Sequence, residues 1–424
     1  MHTSLKSLVA SGLLLACSIA MAQTSADWSR FRGPNGTGVS TATGVPTKWS
    51  ESENIAWKTA LPGAGASSPI IWQDHIYLTA YSGFFVPGQE GGSQQDLQRH
   101  LICLDRTTGK LLWERKVKAV LPEEERIRDH GFAASTPVAD ANGVIVFFGK
   151  TGVIAFDHAG KQQWQANVGS KTHGWGSAAS PILYGDDVLV NASVESESLV
   201  ALSRKDGREK WRLGGIREAW NTPAVVANGK GSDELVLARH GHVLGVNPKT
   251  GKELWTCETD IGWYMVPSAV SAKDVVYFLG GRSGTAALAV RTGGSGDVTA
   301  SHRLWTSVKG SNVTSPVIHD GHLYWMHEKL GIAYCADAAT GELNYEVRVG
   351  GGNEIYGSAL LAGGNVYYLD RSGRTFVVAA KSEYEPIATN DLRDRSQFNS
   401  SPVAMGHQLL IRSDRYLYCI GAGK

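Results

Sequence analysis

The sequence has no adjacent cysteines, no CxxC or CxxCH element, no HExxH pair and no serine in a nucleophile elbow. These absences exclude a c-type haem site, a thioredoxin-like dithiol, a zincin centre and an α/β-hydrolase active site. Beyond the first 22 residues there is no convincing amphipathic helical period, which argues against bundles and against alternating helix–strand folds. Charge is nearly balanced, with 41 Lys and Arg against 40 Asp and Glu. Neither nucleic acid nor an anionic membrane surface is therefore an electrostatic partner, and the expectation is no nucleic acid. What the chain does have is 50 glycines and 13 tryptophans, the material of many turns and of large apolar contacts.

The strongest pattern is a repeat. An apolar strand opening on Ser-Pro or a close variant recurs at Ser68, Thr136, Ser180, Thr222, Ser268, Ser315, Ser358 and Ser401, with spacings of 68, 44, 42, 46, 47, 43 and 43 residues. Each marker leads to a short apolar run, an Asp/Asn/Gly turn such as Asn142-Gly143 or Asp320-Gly321, and a second strand such as Val144 to Phe148. A third strand follows, and then a polar turn before a fourth strand that ends in an aromatic residue: DRTTGKLLW from Asp105, DHAGKQQW from Asp157, NPKTGKELW from Asn247 and DAATGELNY from Asp337. Alternating β-rich segments at this period predict an all-β, eight-bladed β-propeller of four-stranded antiparallel blades. The tryptophans are expected to pack against the neighbouring blade. Trp57 precedes the first marker, and the chain finishes on a third strand, Tyr416 to Ile420. The N-terminal strand is therefore expected to join the C-terminal blade and close the ring.

Residues 1–22 read as a signal peptide, with Lys6, an apolar stretch from Leu8 to Ile19 and a small-residue cleavage site ending at Ala22. Residues 23–424 then form one propeller domain, exported to the periplasm or the exterior. A competing reading is lipidation at Cys17, a possible lipid anchor and the one route by which the membrane would be a partner. Cys103, Cys257, Cys335 and Cys419 are read as buried free thiols, because equivalent positions on separate blades are too far apart to bridge.

In a four-stranded blade, the turn from second to third strand and the link from the fourth strand to the next blade share one face. Because the first strand is innermost, those links border the channel mouth. They carry His130 and Phe132; His173 and Trp175; Trp220 and Asn221; Trp263 and Tyr264; Asn312; Glu354 and Tyr356; and Arg395, Phe398 and Asn399. Planar and hydrogen-bonding groups converging on a concave mouth form a candidate ligand- or partner-binding funnel. Turns on the same face supply a candidate basic rim of Lys150, Arg239, Arg282, Lys329, Arg371 and Arg412, the acidic exception being Glu195 and Glu197. Two insertions, Gly83 to Gln98 and Val117 to Asp129, emerge on this face; a third, Gly293 to Ser301, is read as a surface excursion on the other. Asp129, Glu218, Asp260 and Glu354 stand where a general base could act, but no catalytic set is complete. His240-Gly241-His242 is read as a turn, and no metal site is expected.

The (D/N)xx(x)GKxxW turns and Ser/Thr-Pro-led blades, with Trp28-Ser29-Arg30-Phe31-Arg32-Gly33-Pro34-Asn35-Gly36 and Asn54-Ile55-Ala56-Trp57-Lys58, resemble the exported PQQ-like (BamB-like) propeller family from Asp27 to Gly421. One branch that the resemblance implies is a non-catalytic scaffold supporting outer-membrane protein assembly, with a protein partner or small anionic ligand at the insertion-bearing face and no cofactor. The alternative branch is a quinoprotein dehydrogenase acting on an alcohol or sugar, with PQQ and calcium. That branch stacks its quinone between a tryptophan and a vicinal disulfide, and no adjacent cysteines exist here. Trp175, Trp220 or Trp263 would supply the stacking face. A carbohydrate-binding or carbohydrate-cleaving propeller is a third reading, suggested by the aromatic funnel.

Overall fold

A computed structural model describes residues 27–350 and 352–421; the leader, Ala22 and Cys17 lie outside the described residues. The eight repeats form eight antiparallel blades. Blade 1 comprises Ile70–Trp72, His75–Ser82, Gln98–Asp105 and Leu111–Lys118 in that spatial order. Blades 2 to 7 repeat the pattern over residues 138–166, 182–214, 224–258, 270–307, 317–348 and 360–391. Blade 8 contributes Val403–Met405, Gln408–Arg412 and Tyr416–Ile420, and its outer strand is Ile55–Ala60 from the other end of the chain. Trp57 stands opposite Cys419 and Ala60 opposite Tyr416 in that pairing. The closure expected from the unpaired third strand is present, and it leaves the ring no free blade.

The tryptophan expected to end a fourth strand is instead its third residue, near the strand's start, and from there it reaches the turn of the next blade. Trp113 donates its indole N–H to His158 O at 3.1 Å, Trp164 to Arg204 O at 3.0 Å, Trp211 to Pro248 O at 3.2 Å and Trp305 to Ala338 O at 3.0 Å. For Trp164, Trp211 and Trp305 the turn glycine lies directly beneath the ring, whereas at Trp113 the corresponding Gly160 lies against Arg115. A Cβ on Gly207 would come within 2.6 Å of Trp164, one on Gly251 within 2.4 Å of Trp211, and one on Gly341 within 2.6 Å of Trp305. Trp57 covers Gly109 in the same way, so the latch crosses the chain closure. These glycines also hold positive φ, and close approach and backbone conformation thus demand the same residue.

Blade 5 has no such turn, because Gly293 to Ser301 is inserted there. The insertion is not a simple surface excursion. Gly296–Asp297 adds a fifth, parallel strand to blade 4 alongside Trp255 and Thr256. Trp255 turns inward instead and donates to the buried Glu234 at 2.7 Å, which also accepts the Gly293 N–H at 3.1 Å. Blade 4 loses one latch and gains a strand.

The marker hydroxyls explain why Ser or Thr opens each blade. The backbone N–H of each marker donates to the hydroxyl of the marker in the next blade, from Ser68 to Thr136 and onward to Ser401, whose N–H returns to Ser68 at 3.2 Å. Eight hydrogen bonds make a closed girdle about the axis. Each satisfies a buried N–H that the short inner strand cannot pair.

Residues 28–40 thread the bore from the face opposite the mouth. Trp28 pairs with Ile71 in blade 1, Ser29 O accepts from Ala139 N in blade 2, and Gly38 and Ser40 pair with Leu361 in blade 7. The Arg32 guanidinium reaches the carbonyls of Ser315 and Pro316 in blade 6. The segment thus covers inner strand edges and closes one end of the channel, with Phe31 facing the axis. Apolar clusters lie between neighbouring blades, as where Val153 and Trp164 meet Val188 and Val200. The four cysteines are buried and unbridged. Burial pushes the thiols of Cys103, Cys335 and Cys419 up to about 12 and that of Cys257 to about 11.

Candidate binding site at the channel mouth

The inter-blade links and the turns between second and third strands do share one face. They enclose a mouth cavity of about 170 Å³, lined by Arg128, His130, Trp175, Trp220, Tyr264, Arg282, Asn312, Lys329, Glu354 and Tyr356 among others. Below it lies a second chamber of about 130 Å³ on the axis, sharing His130, Trp220 and Tyr356 with the mouth. Left-handed backbone at Asp129, Glu218, Asp260 and Arg393 bends four of the links, so polar residues occupy positions that bulkier branched ones would strain.

The aromatic groups meet across blades. Tyr264 packs edge-on to Trp220 at 5.6 Å between centroids and lies 6.0 Å from Trp175, while His173 stands edge-on to Trp220 at 5.1 Å. Cations cover the exposed ring faces: Arg128 over Trp175 at 5.0 Å, Arg282 over Trp263 at 4.9 Å and Arg371 over Tyr356 at 4.4 Å. Arg128 is absent from the sequence-derived set, although its place beside Asp129 put it on the same link. Trp220 is 8 % exposed and donates its N–H to Gly176 O at 2.7 Å. It is a pillar of the mouth and offers no open stacking face.

Seven funnel residues do not line this cavity; of these, His173 and Trp263 pack against its aromatic walls, on Trp220 and Tyr264. Phe132 is buried with Tyr81 and Phe84 beneath the first insertion. Phe398 is fully buried against Tyr418. Asn221 is an internal strut, donating to Ala238 O and Met265 O and accepting from Ala238 N. Arg395 lines a separate groove of about 730 Å³ with Arg371, Asp391 and Arg393. Asn399 lines the axial chamber and donates to Asp129 O. Sequence gives the link on which a residue lies but not the direction of its side chain.

The basic rim is also reduced. Lys150 is buried and donates to Pro122 O, and Arg412 is fully buried with its guanidinium on Ser67. Arg239 is half-buried and donates to Gly215 O at 3.0 Å. Arg371 bridges Asp129 at 3.2 Å and Glu354 at 2.7 Å. Arg282 and Lys329 remain exposed at the mouth. The four candidate bases all have cationic partners or a histidine: Asp129 and Glu354 on Arg371, Asp260 on Arg303 at 2.6 Å, and Glu218 on His240 at 3.0 Å.

The two early insertions fold into one unit over blades 1 and 2. A ribbon of Phe84–Val86 and Gln89–Gly92 leads into Gln94, whose amide exchanges two 3.0 Å hydrogen bonds with the Glu123 backbone. Glu123 pairs with the buried Arg99, and nearby Glu195, bonded to Ser177, is pushed up to about 7 by burial. Blade 1 also carries a hydrogen-bond chain from Ser82 through His100, at 2.7 Å, to Glu114. It joins three strands on the face that holds Ala80 and Ile102. His100 is 1 % exposed, and burial lowers its pKa, favouring the neutral ring. This chain spans residues far apart in sequence and follows no motif.

Among the described residues no three His, Cys, Asp or Glu side chains gather as metal ligands, and the cysteines lie buried on separate strands. The mouth carboxylates Asp129 and Glu354 are already committed to Arg371.

A search of curated proteins finds no match. Among solved structures, BamB from Moraxella catarrhalis is similar with a TM-score of 0.62 at 12% identity, over 87% of this chain and 99% of that one. The computationally designed Ika8 protein gives 0.62 at 14% over 86% and 98%. Quinohemoprotein alcohol dehydrogenase from Comamonas testosteroni gives 0.61 at 13% over 95% and 81%. At such identities these likenesses show the shared propeller and nothing about activity. Residues 98–347 match the family described as outer membrane protein assembly factor BamB, more than half of the sequence, and the chain belongs to that family.

Proposed function

We propose that this is an exported, non-catalytic binding protein that supports outer-membrane protein assembly by receiving a protein partner on the mouth-bearing face. The observation carrying this reading is the make-up of that face. Ring–guanidinium pairs at the partly buried Trp175 and Tyr356 and at the exposed Trp263 stand beside a double insertion, while each candidate base is held by a counter-group. Aromatic and arginine side chains are the residues that anchor protein interfaces, because they bury large area at small entropic cost. A carboxylate engaged by a neighbouring side chain must leave that contact before it can meet a substrate proton.

The test is in-cell photocrosslinking from position 263, where Trp263 is 37 % exposed, against position 112 on the opposite face, where Leu112 is 49 % exposed. Capture of an outer-membrane β-barrel assembly component from 263 and not from 112 supports the reading. Equal capture from both positions, or turnover of an alcohol or sugar by purified protein with added quinone and calcium, overturns it.

A further inference from the structure

Among the described residues every blade but one ends on an open outer strand; blade 4 alone has a further strand beside it, Gly296–Asp297. An open edge offers backbone donors and acceptors to any extended chain, and proteins usually guard it with charge. Most of the open edges here are guarded by a charge or a side-chain amide at an exposed position: Lys116 in blade 1, Gln165 in blade 2, Arg212 in blade 3, Glu346 in blade 6, Asp391 in blade 7 and Lys58 in blade 8. Blade 5 differs. Its outer strand, Arg303–Ser307, exposes Leu304 and Thr306, and the next exposed position is Val308, 70 % accessible. The register shift near the start of this strand occurs in all eight blades and does not set blade 5 apart.

The unguarded strand runs onto the mouth-bearing face and joins an apolar patch there. Ser307 O accepts the Ala286 N–H at 2.8 Å, beside the turn that holds Arg282 over Trp263. Lys309 pairs with Glu346 at 2.8 Å on the outer strand of blade 6. On that same strand Arg348 donates to Leu330 O at 2.6 Å. Contacts thus lead from Trp263 past Val308 to Leu330, and Trp263 and Leu330 are 37 % and 43 % exposed. Single exposed apolar side chains are ordinary, but a group of them beside an open strand edge marks an interaction surface.

Charge gives the patch its second character. Arg282, Lys329 and Arg348 are exposed, and none of them takes part in the described ion pairs. Glu346 is already held by Lys309. Glu328 is buried, where it accepts from Ser311 Oγ and from Asn312 N. Resting on the partner reading above, we propose that the outer edge of blade 5 is the docking strand for an extended segment of the partner polypeptide. That segment is apolar at alternate positions along Leu304, Thr306 and Val308, and acidic where it continues over Leu330. Backbone pairing supplies the affinity, the exposed side chains set the register, and the three cations select the acidic end.

The experiment is a fluorescence-anisotropy titration of the full protein with a labelled peptide of alternating valine and threonine that ends in glutamates. One copy is N-methylated at alternate amides, which keeps the side chains and blocks backbone pairing; another ends in lysines. The glutamate peptide should bind saturably, and each altered copy should bind about tenfold more weakly or worse. Thr306→Lys places a charge on the edge and should weaken binding by about tenfold or more. Thr389→Lys, the same change at the matching position of blade 7, should leave binding unchanged. No saturable binding, equal affinity for the N-methylated copy, or equal losses in Thr306→Lys and Thr389→Lys overturns the proposal. A concentration-dependent dimer that Thr306→Lys abolishes assigns the edge to a second copy of this chain and also overturns it. Should crosslinking from position 263 capture an assembly component while the peptide fails to bind, the partner reading stands and the docking strand alone is refuted.

Discussion

Gly207→Ala tests the latch between neighbouring blades and can be worked through from the geometry. Gly207 sits at φ +72° in the turn of blade 3, beneath Trp164 of blade 2. Adding a Cβ to left-handed backbone costs about 1–2 kcal/mol by itself. Gly241 has φ +75° with nothing within 4 Å of its would-be Cβ, so Gly241→Ala isolates that term. At Gly207 the new carbon would stand 2.6 Å from the indole, and the ring must move. Displacing it breaks the 3.0 Å hydrogen bond to Arg204 O, worth about 1 kcal/mol. It also re-exposes part of a side chain now 9 % exposed, where complete burial of a large apolar group is worth about 1.5–3 kcal/mol. Gly207→Ala should therefore lose about 2–3 kcal/mol more than Gly241→Ala. Urea unfolding of both variants, with slope and midpoint fitted together, measures the difference. Hydrogen exchange should show the excess loss localised to blades 2 and 3. Equal losses in the two variants would refute the argument that the glycine is there to admit the tryptophan.

Ser180→Ala removes the acceptor for the Thr136 N–H, and a buried unpaired donor costs about 1–3 kcal/mol; accelerated exchange at the Thr136 amide, with distant girdle amides less affected, is the expected signature. Glu195 has its carboxyl raised from an ordinary 4.5 to about 7, so the folded state holds a proton that the unfolded chain releases. Its contribution is absent below pH 4.5, worsens as pH rises to about 7, and is a full penalty above. Glu195→Gln should leave stability unchanged at low pH and raise it above neutrality by on the order of 3 kcal/mol, while a difference of the same size at both extremes would contradict the assignment. The four propeller thiols should resist a disulfide reagent in the native protein and react together on unfolding; a fast-reacting native Cys103, Cys257, Cys335 or Cys419 would contradict their burial.

Much of the architecture was legible in the sequence, because a propeller repeats the same local grammar eight times. Turn chemistry and strand alternation are short-range properties, and the missing fourth strand after Ile420 announced the closing role of Ile55–Ala60. The tryptophan turns were legible as packing elements, although not the pairing of each indole with a particular glycine across the blade boundary. The candidate site was legible only as a face. Trp175, Tyr264, Arg282 and Tyr356 converge at the mouth, whereas Phe132 and Phe398, on links with the same reading, point into the core. Lys150 and Arg412 occupy turns like that of Arg282, but packing draws them inward.

By itself, then, the amino-acid order determined the number of blades, their strand content, the face of each turn and the joining of the two ends. These follow from periodicity and from the φ preferences of Gly, Asn and Asp, which act within a few residues. The tertiary structure alone decided which hydroxyls meet in a girdle, which charges cancel and which are stranded, and that Arg32 enters the bore. Those outcomes depend on contacts between residues hundreds of positions apart, brought together only when the ring closes and burial sets the cost of each unpaired group.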